Sequence, residues 1–331
     1  MFNKITVNKI VKAFEIEKRQ IVLLQFWGED EDRKTLHDFS YAVAANGGVP
    51  IELQHAKTYY NGLFENMPEQ IFGEKYFSIF KEVDVVIDIC MYAAVIPDAN
   101  FPKDKMNFYR EYMKNMFATL VKKDKFIQLR VPSEAFANEA NIDPNEFIER
   151  MTDAYDIDYD KLKSEADTLI NSLSSKSKVV IRTGNDCNLT LSLSEREWHG
   201  DTGTGDMPCG EIYIAPIEYS SDGNLFIDTL YFEDNVAKEI TLEIEGGMIV
   251  SSSDSAFNDF LSELPPNGNV IGEFGIGLNE NVKSLCGYPV LDEKMKNTYH
   301  IGIGQNTMFG GTVDSMCHID LVFTGEVSFV E

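Results

Sequence analysis

The sequence predicts an α/β protein in two parts: a Rossmann-like N-terminal α/β domain with a parallel sheet, then a β-rich α+β domain. Three observations carry that expectation. Short apolar runs alternate with amphipathic helical stretches through the first half. Residues 140–175 are helical and acidic, and they end in the polar run SLSSKS at 172–177. Beyond that run almost every segment has a strand pattern. A chain of 331 residues is long for one domain, so two are expected, at 1–176 and 177–331.

The opening MFNKITVNKIVKAFEI reads as an amphipathic helix, because no basic stretch is followed by an apolar run and a cleavage site. Residues 20–26 (QIVLLQF) make a buried strand, and residues 31–45 a helix stopped by Gly47 and Gly48. A second strand is expected at 49–53, helix at 69–81, and a third strand at 83–90 (VDVVIDIC). A long helix with Met and Phe on its apolar side follows at 105–122. The fourth strand, 125–130 (KFIQLR), is ended by Val131 and Pro132. Neither GxGxxG nor GxxxxGK[ST] occurs, so a nucleotide site is not supported. A ligand would lie at the carboxyl ends of these strands. In the second half, strands are expected at 178–182, 189–193, 211–219, 225–231, 237–244 and 248–250, with a short helix at 255–263.

The last third holds the chemistry. Residues two apart on a strand share a face. Glu273 therefore shares its face with Gly275 and Gly277, His300 with Gly302 and Gly304, and His318 with Asp320. The opposite faces carry Phe274, Ile276 and Leu278, then Tyr299, Ile301 and Ile303, then Cys317, Ile319, Leu321 and Phe323. One face of each strand suits a core, and the other is stripped of bulk and bears imidazole or carboxylate. Glu211, in CGEIYIAP, completes five candidate metal ligands. A mixed N/O set suits zinc, cobalt, manganese or iron(II). Five ligands exceed what one catalytic zinc takes and suit two ions sharing a carboxylate. A hairpin across residues 305–315 would bring His300 and His318 together. His37, His55 and His199 read as ordinary helix or loop residues, and Asp201 and Asp206 lie in a Gly/Asp-rich loop at the pocket edge.

The net charge of −25 argues against nucleic-acid or anionic membrane partners. No apolar run reaches membrane-spanning length. The five cysteines are odd in number, scattered and form no CxxC pair, which reads as reduced thiols in a cytoplasmic protein.

MPCGEIYIAP, GEFGIGLN, the strand with His300, and CHID resemble the M29 aminopeptidases, the aminopeptidase T and aminopeptidase S family. The resemblance covers the whole plan and is most specific from about residue 180 onward. It implies a hydrolase that removes N-terminal residues from small peptides, with two divalent ions held by Glu211, Glu273, His300, His318 and Asp320. It also implies that Glu211 or Glu273 serves as general base, and that the protein is a homodimer with an enclosed active site. One position departs: where the family has a tyrosine seven residues after the histidine, this chain has Thr307, within GQNTMFGG. The plan is also similar to that of the ring-cleaving 2,5-dihydroxypyridine dioxygenases, which use one iron(II) held by two histidines and an aspartate. In this sequence Glu273 stands where the other histidine is expected.

Overall fold

The structure, a computed structural model, describes all residues except Met1, Asn185 and Asp234. The chain divides into two compact units, Met1–Asp156 with Gly203–Pro208, and Ile157–Thr202 with Cys209–Glu331. The division thus precedes the serine-rich run expected to carry it. The cause is the helix Tyr159–Leu173, whose face packs on the second unit. There a Cβ on Gly200 would sit 3.4 Å from Ile170.

Strands are numbered along the chain. The first four are β1 (Ile21–Trp27), β2 (Val49–Gln54), β3 (Val85–Cys90) and β4 (Lys125–Arg130). Next come β5 (Lys178–Thr183), β6 (Cys187–Ser192), β7 (Trp198–Asp201) and the short β8 (Asp206–Met207). The remainder are β9 (Glu211–Ile214), β10 (Gly223–Phe232), β11 (Asn235–Glu245), β12 (Met248–Ser252), β13 (Ile271–Gly277), β14 (Tyr299–Gly304), β15 (His318–Phe323) and β16 (Glu326–Val330).

The first unit holds a parallel sheet in the order β2-β1-β3-β4-β8. β1 and β3 are almost wholly buried, and their sequences are apolar except for Gln25 and Asp88, as suits a sheet covered on both faces. The opening helix, Lys4–Ala13, is capped by Asn3, whose side chain accepts from the N–H groups of Ile5 and Thr6. The sequence pattern passed over the helix Lys57–Glu65, in which Asn61 and Gly62 are weak helix formers. Tyr60 and Phe64, one turn apart, bury its inner face. The helix expected at 69–81 shrinks to Glu74–Phe77 and a 3-10 turn at Ser78–Glu82.

The second unit stacks two antiparallel sheets, ordered β12-β11-β10-β6-β5-β16 and β15-β14-β13-β9-β7. Between them Phe274 and Trp198 meet Phe329, with ring centroids 6.2 and 6.1 Å apart. The strand expected at 211–219 ends at Ile214, just before Ala215 and Pro216, since proline has no N–H for the ladder. No helix among the described residues is long and apolar enough to cross a membrane.

Candidate metal centre

Four adjacent strands put the candidate ligands on one face of the β15-β14-β13-β9-β7 sheet, and register decides how closely they meet. Glu211 on β9 lies opposite Gly277 on β13. On β14, His300 lies opposite Gly275 and Gly302 opposite Glu273. Gly302 is also opposite Asp320 on β15, and Gly304 is opposite His318. Each ligand therefore faces a glycine on a neighbouring strand. The space is needed: a Cβ on Gly275 would lie 1.9 Å from His300 Nε2. One on Gly302 would meet the Glu273 Cβ at 2.8 Å, Asp320 Oδ1 at 2.9 Å and His318 Cε1 at 2.9 Å. A β-bulge between Ile271 and Glu273 shifts the β13–β14 register and aligns Glu273 with Gly302.

The side chains form two triads that share Glu273. In one, His300 Nε2 lies 3.2 Å from Glu273 Oε1 and 3.3 Å from Glu211 Oε2. In the other, His318 Nε2 lies 3.4 Å from Glu273 Oε2 and 3.3 Å from Asp320 Oδ1. Both triads keep their donor atoms within 4.8 Å of one another, a spacing one cation could bridge. Glu211, Glu273 and His300 are buried, whereas the His318 side chain is 31% exposed. Gln305 O accepts from His318 Nδ1 at 2.7 Å, which leaves Nε2 facing the carboxylates.

Burial pushes the Glu273 carboxyl up, against the hydrogen bond from His300. Burial pulls His300 down, but Glu273 and the field of Glu211 and Asp320 outweigh it and hold the imidazole above its ordinary value. The same opposition, dominated on the raising side by Asp320, lifts His318 to about 10. Burial works to raise Asp320, and the adjacent His318 more than reverses it. The face is built to stabilise positive charge.

A cation fits this donor set on two further grounds. Glu211 Oε2 and Asp320 Oδ1 are buried and make no hydrogen bond, and such orphaned oxygens cost about 1–3 kcal/mol each unless something compensates them. The oxygens and imidazole nitrogens also match what divalent first-row ions prefer.

Two residues at this centre escaped the sequence pattern. Lys294, 1% exposed, binds Glu211 Oε1, lies 2.7 Å from Glu293 Oε1 and 3.6 Å from Asp201 Oδ2. Burial pushes Glu293 well above the usual carboxylate range, despite Lys294 beside it. In sequence, LDEKMK is a charge run that reads as a solvated turn, and nothing short of the fold reveals its burial. Asp201 lies opposite Glu211 in the β7–β9 register, inside the site rather than at its edge. His199 pairs with Tyr213 in the same register, and their rings stack with centroids 5.5 Å apart. His37 lies 3.6 Å from Glu52, and His55 is buried in the first unit. Thr307 is exposed and accepts from Gln305 Nε2 at 2.7 Å.

The structure resembles wild-type AmpT from Thermus thermophilus, with a TM-score of 0.65 at 14% identity over 99% of this chain and 98% of that one. It is equally similar in fold to 2,5-dihydroxypyridine dioxygenase from Pseudomonas putida KT2440, with a TM-score of 0.65 at 14% identity over 98% of this chain and 92% of that one. No curated protein matches in sequence. The family model for thermophilic metalloproteases, M29, matches residues 97–327. That span is more than half of the chain and contains every candidate ligand, so the chain belongs to the M29 metallopeptidase family.

Proposed function

We propose that this chain is a metal-dependent aminopeptidase that removes N-terminal residues from short peptides, with two divalent ions at the shared-glutamate site. The observation that carries the reading is Glu273, whose two oxygens face different triads. Glu211, Glu273 and His300 would hold one ion, and Glu273, His318 and Asp320 the other. When bound, such a pair polarises a carbonyl and lowers the pKa of a water. The chain's own groups do the rest. Lys294 holds one Glu211 oxygen and leaves the other facing His300. Glu211 and Glu273 are the carboxylates placed to move a proton between water and the leaving amine.

A second reading, a mononuclear iron(II) ring-cleaving oxygenase, has the equal fold similarity behind it. A two-histidine, one-carboxylate triad is what such iron sites use. Here, among the described residues, the two imidazoles fall in different triads, and carboxylates outnumber them.

Elemental analysis of protein purified without added metal or chelator tests both, with His318→Ala alongside. Two equivalents of zinc, cobalt or manganese, reduced in the variant, together with hydrolysis of free-amine but not N-blocked peptides, is the expected result. One equivalent of iron with oxygen uptake on hydroxylated pyridines would replace it with the second reading. Metal retained in full by His318→Ala would remove His318 from the ligand set.

A further inference from the structure

Beside the metal centre lies an apolar surface that neither the ligands nor the core requires. The segment after β14 turns through a 3-10 helix at Thr307–Phe309 and returns to β15. It is firmly anchored. Asn306, fully buried, donates to Glu218 Oε1 and Gly272 O at 2.9 Å each and accepts from Val313 N at 2.8 Å. Glu218 also accepts from Thr312 N at 2.7 Å and pairs with Arg196 at 2.5 Å. A Cβ at Gly311 would fall 2.0 Å from the Asn306 side chain, so only glycine lets the loop close on this anchor.

What this fixed loop presents is apolar. Phe309 sits edge-on between two rings of the site face, 5.3 Å from Tyr213 and 5.9 Å from His318, centroid to centroid. Met308 is 79% exposed, and Met316, two residues before His318, is 94% exposed. Large apolar side chains held in water on a loop locked from beneath are a surface awaiting an occupant. Methionine, unbranched and polarisable, adapts to varied apolar shapes. Phe309 packs against a candidate ligand itself, so the occupant must approach within one residue of the reacting centre.

We propose that Met308 and Phe309, backed by Tyr213, form the specificity surface for the substrate's N-terminal side chain, and that they select peptides beginning with leucine, methionine or phenylalanine. The inference rests on the aminopeptidase reading, because in that reaction the side chain next to the metal centre is that of the first residue. A buried apolar side chain is worth roughly 1–3 kcal/mol of discrimination, or about 10- to 200-fold.

The test compares kcat/KM of metal-loaded protein on dipeptides beginning with leucine, alanine and aspartate, for the wild type, Phe309→Ala and Met308→Gln. Calorimetric binding of free leucine and alanine to the same proteins is the companion measurement. Met308 is mostly solvated, so its substitution leaves the fold unperturbed. The expected result is a preference for leucine of about tenfold or more in both measurements, reduced in both variants. Hydrolysis without side-chain preference, or with a preference the variants keep, would overturn the inference and leave the aminopeptidase standing. Preferential leucine binding without hydrolysis of any peptide would support the surface and refute the reaction. Neither hydrolysis nor preferential binding would overturn both.

Discussion

Each unit of this molecule buries a chain of polar side chains, and the two chains differ in how they end. In the first unit, Tyr60 donates to His55 Nδ1 at 2.5 Å, His55 Nε2 to Gln25 Oε1 at 3.1 Å, and Gln25 Nε2 to Asp88 Oδ1 at 2.6 Å. Burial pulls His55 down to about 3, so the ring is neutral, and one tautomer satisfies both of its nitrogens. Trp27 stacks on it at 4.1 Å. In the second unit, Glu211 Oε2 lies 3.3 Å from His300 Nε2 and Asp320 Oδ1 lies 3.3 Å from His318 Nε2, with no hydrogen bond to either oxygen. A closed network holds a fold together. An open one of the same size is strained until a cation enters. Buried polar residues alone do not mark a site, but the unmatched lone pairs do.

The largest expected effect is that of Glu273→Gln, which removes the carboxylate shared by both triads. Peptidase activity should fall roughly a thousandfold, the worth of several kcal/mol of lost charge stabilisation, and bound metal should fall with it. Full activity and full metal content would erase the contrast between the two networks. Next is Lys294→Met, which leaves Glu211 and Glu293 buried without their ammonium partner. Chemical denaturation should show a loss of about 3–5 kcal/mol, and an unchanged midpoint would show that the carboxyls are neutralised in another way.

Gln25→Leu opens the closed network. It strips His55 Nε2 and Asp88 Oδ1 of their partner, at about 1–3 kcal/mol for each orphaned group, while metal content stays as in the wild type. Metal loss in this variant would mean that the two networks are not separable. The mildest change is Asp88→Asn. Burial, against a hydrogen bond from Gln25, lifts Asp88 from 3.8 to about 7. Between those values the native chain keeps a proton that the unfolded chain has released, so stability falls as pH rises through the window. Asparagine does not titrate. The variant's melting temperature relative to wild type should therefore climb from about pH 4 to about pH 7 and level off above, and a flat difference would place Asp88 among ordinary carboxylates.

The clustering of the candidate ligands on one face was legible in the sequence because alternation on a strand is local: glutamate, glycine, glycine at 273, 275 and 277 already separates two faces. The parallel sheet was legible for the same reason, through runs such as VVIDIC. What the pattern could not reveal depends on distant packing. Lys294 looks solvated until β9 and the turn before β14 close over it. The helix Lys57–Glu65 was hidden by Asn61 and Gly62, which tertiary burial of Tyr60 and Phe64 overrides. β16, whose EVSFV looks like a tail, becomes a strand only because β5 offers an edge. The two-residue β8 carries too little sequence to announce itself at all. Glu211 heads the strand expected at 211–219, and only the register with Asp201 and Gly277 shows what surrounds it.

The bulge at Gly272 is a single extra residue, and its carbonyl is held by Asn306 Nδ2 at 2.9 Å. Side chains on a strand are a two-letter alternation, and a slip of one residue changes the parity of everything beyond it. Were the ladder to run on from the Ile271–Ile303 pair without the bulge, Gly272 would fall opposite Gly302 and Glu273 opposite Ile301. Phe274 would then lie opposite His300 on the candidate ligand face, although every candidate ligand would still be in the sequence. The centre is thus protected less by the identity of its residues than by the place where the ladder skips one, and the same chain paired without that skip could keep all five and hold nothing.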